Sequence, residues 1–135
     1  MRIDLPIIRK SLVNGSVCID QGSITLDLDT SVYSEERWEK NFPALAEKEG
    51  LFQYIERVHS GSVTDRVKVA CMLKAIYCFV ESNELPDYKS FAMLFDLAVP
   101  EYTEKLITCL KVSFEKIIGG SSTKNLESTA NNYCL

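Results

Sequence analysis

Hydrophobic and polar positions alternate with a period of two up to about residue 29 and recur at helical spacing from there to about residue 118. In Val67–Glu81 (VKVACMLKAIYCFVE) the only charge between Val69 and Val80 is Lys74. A helix that is apolar on most of its circumference has to be covered on several sides. Its Ala, Met, Leu and Lys content favours helix. The run is too long for an ordinary strand and too short for the roughly 20 residues that cross a bilayer. A central buried helix is therefore predicted over about residues 65–82, opened by Ser62 and Asp65 in the spacing of a capping box.

Upstream the period is two. Ile3, Leu5 and Ile7 alternate with Arg2, Asp4 and Pro6, and Pro6 suits an edge strand or a bulge. Asn14-Gly15, between Leu12-Val13 and Val17–Ile19, is a strong hairpin-turn signal because both residues tolerate positive φ. A second turn is expected at Asp20–Ser23. It is followed by a strand with Ile24, Leu26 and Leu28 on one face and Thr25, Asp27 and Asp29 on the other. So small a sheet needs a helical cover.

Downstream of residue 30 the period becomes helical. Ser34 reads as a helix cap with Glu35 and Glu36 in the first turn, where negative charge meets the positive helix end. Trp38 and Phe42 are four apart, and Pro43 stops that helix or starts a new turn that Gly50 ends. On this pattern Trp38 and Phe42 are core, while Glu35, Glu36, Arg37, Glu39 and Lys40 form a solvated face. Leu51–His59 turns Leu51, Phe52, Ile55 and Val58 inward, and Ser60-Gly61 breaks it. After a loop at Asn83–Asp87, Tyr88–Ala98 carries the stripe Tyr88, Phe91, Leu94, Phe95 and Ala98. A last helix, Glu101–Ile118, carries Tyr102, Leu106, Cys109, Leu110, Phe114 and Ile117. The pattern predicts an α+β fold. A small N-terminal antiparallel β-meander (1–30) packs on a bundle of four to five helices (34–118), giving one domain over 1–118. A Ser-, Thr- and Asn-rich tail at 119–135 has no periodicity and is expected to be disordered.

Composition narrows the class. The 135 residues, 46% apolar and 25% charged, are those of one ordinary globular domain. A net charge of −4 with no basic cluster argues against nucleic acid as a partner. Met1–Ile8 alternates and contains Asp4 and Pro6, unlike a signal peptide, so a cytoplasmic location with no membrane partner is expected. The five cysteines, Cys18, Cys71, Cys78, Cys109 and Cys134, include no CxxC pair, which indicates neither a zinc site nor a disulfide framework. Cys71 and Cys78 are seven apart on the central helix, too far for a disulfide.

Candidate chemistry is sparse. Asp20, Asp27 and Asp29 lack the turn glycine and distant glutamate of a calcium loop. His59, the only histidine, stands at a helix end, where the dipole favours its charged form. Gly119–Ser122 follows a helix instead of leading into one, so it is no phosphate cradle. No GxSxG, phosphate-loop or HExxH motif occurs, and the paired glutamates lie in exposed-looking runs. Neither an enzyme nor a cofactor or metal site is expected.

Residues 27–43 (DLDTSVYSEERWEKNFP), followed by Leu51-Phe52 and Tyr54, resemble the corresponding stretch of the tail assembly chaperones of long-tailed, siphovirus-type phages and prophages of Gram-positive bacteria. The resemblance is concentrated in 24–58, and Tyr33, Trp38, Asn41, Phe42 and Pro43 carry the motif. It implies a small protein of the bacterial host cytoplasm that binds the phage tape-measure protein, keeps it soluble while the tail tube polymerises, and is absent from the mature virion. A homo-oligomer is expected as well. A structural tail or head–tail connector protein is the alternative, and a small enzyme without a recognisable motif a distant third. A holdase of a helical partner must offer apolar anchors. Tyr88, Phe91, Met93, Leu94, Phe95 and Leu97 are the candidates, with Met93 and Leu97 surplus to docking the short helix.

Overall fold

The protein is seen in a computed structural model that describes residues 1–62, 64–81 and 85–120. Two long strands, β1 (Arg2–Val13) and β2 (Ser16–Asp27), pair antiparallel from Arg2 opposite Asp27 to Val13 opposite Ser16. Asn14 (φ 52°) and Gly15 (φ 79°) make the two-residue turn between them, both in the positive-φ region that matches strand twist. The meander expected from the sequence is thus a single hairpin. Asp20–Ser23 does not turn, because β1 continues far enough to pair all of it; Gly22 sits opposite Ile7.

The hairpin buries different faces along its length. Ile3, Leu5 and Leu26 are buried on one face, and Pro6 and Ile8 on the other, as a twisted ribbon requires when helices wrap it. Three polar contacts hold β1 to the helical part. The Tyr102 hydroxyl donates to the Pro6 carbonyl at 2.7 Å, the Ile8 amide donates to the Leu94 carbonyl at 3.2 Å, and Lys10 pairs with Asp96 at 2.7 Å. Pro6 fits this edge since it has no amide to leave unpaired.

Six α-helices follow among the described residues: α1 (Tyr33–Asn41), α2 (Pro43–Ala46), α3 (Leu51–Ser60), α4 (Asp65–Phe79), α5 (Tyr88–Ala92) and α6 (Pro100–Glu115), the last running into a π-helical turn at Lys116–Gly120. The class is α+β, as the pattern predicts. The helix count exceeds four to five because Pro43 begins α2 as a separate turn after the non-helical Phe42 (φ −135°, ψ 63°). The central helix is α4. Val69, Met72, Leu73, Ala75, Ile76, Cys78 and Phe79 are buried, and α1, α3, α5 and α6 all contact it. It stops at Phe79 because Val80 turns extended and bridges Leu28, while the Asp29 amide takes the Phe79 carbonyl at 2.7 Å. Its first cap residue is Thr64, without a side-chain bond, so the expected Ser62 box does not form.

Two other helix limits differ from expectation. Ser34 is fully buried inside α1 and donates to the Ser31 carbonyl at 2.7 Å instead of capping the helix. The helix expected over Tyr88–Ala98 is only the five residues of α5, capped by Asp87, which accepts from the Ser90 amide. Beyond it two competing bonds divert the backbone: the Asp96 carboxylate accepts from the Ala98 amide at 2.8 Å, and the Leu94 carbonyl is taken by Ile8. Residues 83 and 84 of the expected loop, and residues 121–135 of the expected tail, lie outside the described residues.

Candidate functional site

The motif of residues 27–43 folds into the junction between hairpin, α1 and α4. Trp38 is 1% exposed; its indole donates to the Glu49 carbonyl at 3.0 Å and its ring lies 4.7 Å from Tyr54 and 5.5 Å from Phe42. Phe42 in turn meets Tyr88 edge-on at 5.1 Å. Asn41 donates to the Arg37 carbonyl at 2.8 Å, a local bond on its own helix. Tyr33 and Pro43 are exposed.

Two of the charges expected on a solvated face point inward. The Glu35 carboxylate accepts from the Leu51 amide at 2.8 Å and the Phe52 amide at 3.4 Å, satisfying the free end of α3. Arg37 donates to the Cys78 carbonyl at 2.6 Å, the Asp29 carbonyl at 3.2 Å and the Asp29 carboxylate at 3.1 Å, and packs 5.1 Å from the Tyr33 ring centre. It thereby closes the C-terminal end of α4, where carbonyls lack helical partners. Hydrogen bonds from Ser31, and then Arg37, hold the Asp29 carboxyl below its ordinary range. Glu36, Glu39 and Lys40 remain exposed, as expected.

The six residues expected to bind a partner do not form one surface. Phe91 (0% exposed) and Phe95 (7%) are core residues whose rings lie 5.3 Å apart. Tyr88 and Leu94 are half-buried, and burial pushes the Tyr88 phenol up to about 12. Leu97 also packs against the core, because the chain after α5 turns back and does not continue as a helix. Met93 alone of the six is open, at 73% exposure. It lines a groove with Ile7, Ile8, Arg9, Lys10, Leu94 and Asp96. A further apolar patch was not anticipated: Leu12, Val17 and Ile19 share one face at the far end of the hairpin and are 75%, 64% and 47% exposed, with Val13 (50%) on the opposite face. Its signal was present in the apolar residues on both sides of Asn14-Gly15, which no later segment was needed to cover.

The chemistry of the remaining polar groups is structural. Asp27 pairs with Arg2 at 3.0 Å and Asp29 with Arg37, so neither is held ready for a cation. Among the described residues no group of three His, Cys, Asp or Glu could hold a metal ion. Cys18, Cys71, Cys78 and Cys109 are free thiols, and burial pushes that of Cys78 up to about 12, which removes it from thiolate chemistry. Among the described residues no helix is long and apolar enough to cross a membrane. What the geometry defines is an α+β protein with a tightly tied core and, among the described residues, exposed apolar side chains that include Met93 and the end of the hairpin. Compared with known proteins, the chain matches no family model, no curated protein and no solved structure.

Proposed function

We propose that the protein is a phage tail assembly chaperone that binds the tape-measure protein through exposed apolar side chains and keeps it soluble while the tail tube assembles. It acts in the cytoplasm of the bacterial host, works as a homo-oligomer and is absent from the finished virion. The observation that carries the reading is Met93, 73% exposed at the rim of the Ile7–Ile8 groove. A flexible, exposed thioether suits a partner that offers amphipathic helices of varied sequence. Arg9 lines the same groove beside the Lys10–Asp96 pair, so charges of both signs are present for the polar flanks of such a helix. The resemblance in residues 24–58 supports the same reading independently of the groove.

Co-expression with the tape-measure protein of the same phage tests it. The expected result is soluble tape-measure protein that co-purifies with the chain, and a marked loss of both when Met93 is replaced by Ser. Tape-measure protein that stays insoluble in the presence of the chain refutes the reading. Recovery of the chain from purified virions favours a structural tail or head–tail connector protein instead.

A further inference from the structure

The hairpin has one guarded edge and one open edge. Met1 and Leu28 exchange both backbone bonds, Leu28 amide to Met1 carbonyl at 2.6 Å and Met1 amine to Leu28 carbonyl at 3.1 Å. With the register fixed, this sets the alternation of the ladder. In β2 the even residues bond β1, and Val17, Ile19, Gln21 and Ser23 turn their backbone groups outward. The outward positions of β1 are defended by Pro6, by the Ile8 bond to Leu94 and by Lys10 on Asp96. At the base, β2 is closed by the bridge to Val80. Between Ser16 and Ser23, β2 contains no Pro or Lys, its one charge is Asp20, and no described residue bonds its outward groups. Natural sheets avoid leaving such an edge uncovered.

We propose that this open edge of β2 pairs with the same edge of a second copy of the chain, antiparallel about a two-fold axis at Cys18, to make a four-stranded sheet across the two molecules. The side-chain pattern selects the second copy and the register. Antiparallel self-pairing needs outward residues opposite outward residues, and centring on Cys18 sets Val17 opposite Ile19 of the other copy, twice. With Leu12 beside each Val17, six apolar residues form one stripe across the dimer on the face they share. The same register puts Asp20 opposite Ser16, so the two Asp20 side chains stay four residues, roughly 13 Å, apart along the sheet. Centring on Asp20 would instead set like charges against each other, which is unfavourable. The contact is short, so it belongs with weak, concentration-dependent interfaces. It concerns the hairpin end alone and stands whether or not the Met93 groove holds a tape-measure protein.

The register makes the test specific. Mild oxidation of the full chain with copper–phenanthroline should trap a covalent dimer, since residues directly opposite at a non-hydrogen-bonded pair lie within disulfide reach. Cys18→Ser should abolish that dimer. Val17→Lys and Ile19→Glu are separate variants at exposed positions, and their folding is checked by circular dichroism. Each should weaken self-association in sedimentation velocity by about tenfold. Mixing the two variants should restore it, because the introduced lysine of one chain then faces the introduced glutamate of the other. A wild-type chain that remains monomeric at all accessible concentrations overturns the proposal. So does a dimer that cross-links without Cys18, or a mixture that associates no better than either variant alone.

Discussion

Arg37→Met tests whether one guanidinium ties the hairpin to the helices. Methionine keeps most of the aliphatic stem while removing the donors to Asp29 and Cys78 and the guanidinium that lies over the Tyr33 ring. An exposed ion pair is worth about 0–1 kcal/mol, whereas a hydrogen bond from a charged donor contributes roughly 1.5–3 kcal/mol. The Arg37 side chain is only 14% exposed, and its bonds to the Cys78 and Asp29 carbonyls, more than the ion pair, should carry the effect. The expected loss is therefore about 2–3 kcal/mol. For a domain of this size the midpoint of thermal unfolding should fall by about 8–12 °C. Urea unfolding followed by far-UV circular dichroism measures the free energy directly. Arg37→Lys should recover less than half, since a point charge cannot span two carbonyls and a carboxylate as the guanidinium fork does. In a double-mutant cycle with Asp29→Asn, the joint loss should be smaller than the sum of the single losses. A loss under about 0.5 kcal/mol, the range of ordinary surface substitutions, would place Arg37 on the solvated face after all and refute the argument.

Trp38→Ala should destabilise by about 3–5 kcal/mol in the same urea assay, the range for emptied aromatic core sites; a smaller change would mean that the Tyr54 and Phe42 rings close over the cavity. Met93→Ser should change stability by less than about 0.5 kcal/mol while reducing tape-measure co-purification, whereas Leu97→Ser should lower stability by roughly 1–2 kcal/mol for its partial burial. Stability should also fall at both ends of the pH scale, measured as the urea midpoint. In acid, Asp29 and Asp87 (held low by hydrogen bonds from Ser31 and Ser90), Asp96 (by Lys10) and Asp27 (by Arg2) contribute stability above the unfolded carboxyl value near ~4 and lose it as pH drops through their depressed values. In base, burial raises Cys78 and Tyr88 to about 12, so their contribution is complete below the unfolded values, roughly 8.5 and 10, and is lost as pH climbs toward 12. A midpoint that does not move between neutral pH and pH 3 would contradict the carboxylate assignments.

Elements whose cause is local were legible in the sequence. The Asn14-Gly15 turn, the apolar run of α4, Pro43 as a first helical residue and the Tyr102–Phe114 stripe all depend on neighbours a few residues away. What was hidden depends on partners distant in the chain. Arg37 and Glu35 look like one exposed charge run with Glu36 and Lys40, and only the arrival of Cys78 and Leu51 turns two of them inward. Likewise the stripe Tyr88–Ala98 has a helical period, but Asp96 and the Ile8 amide offer its backbone other bonds, so periodicity there records burial and not helix. Of the candidate partner surface, Met93 could be picked out because it is surplus to the stripe; Leu97 was equally surplus and is placed by the turn that ends α5. The open edge of β2 was concealed by the turn expected at Asp20–Ser23, which would have cut it in two.

The anchoring of the hairpin predicts a gradient along it. A two-stranded sheet is marginally stable alone, so each part is as firm as its ties to the helices. At the root, Leu28 bridges Val80, the Asp29 amide bonds the Phe79 carbonyl and Tyr102 holds Pro6. The last tie is Lys10 to Asp96; among the described residues, 11–19 make hydrogen bonds only within the hairpin. Opening of the end should therefore cost little while the root opens only with the whole domain. Hydrogen exchange resolved by NMR should show strong protection for the inward amides of Ile3, Leu5 and Ile7 and weak protection for Ser11 and Val13, although all five bond the same partner strand. The outward amides of Val17 and Ile19 give a second reading. In dilute solution they should exchange freely, and on raising the concentration they should slow together with Ser11 and Val13, because edge pairing covers the outer backbone and steadies the end at once. Uniform protection from Ile3 to Val13 in dilute solution would mean that the hairpin is stiff by itself, and the end would then need no second copy to order it.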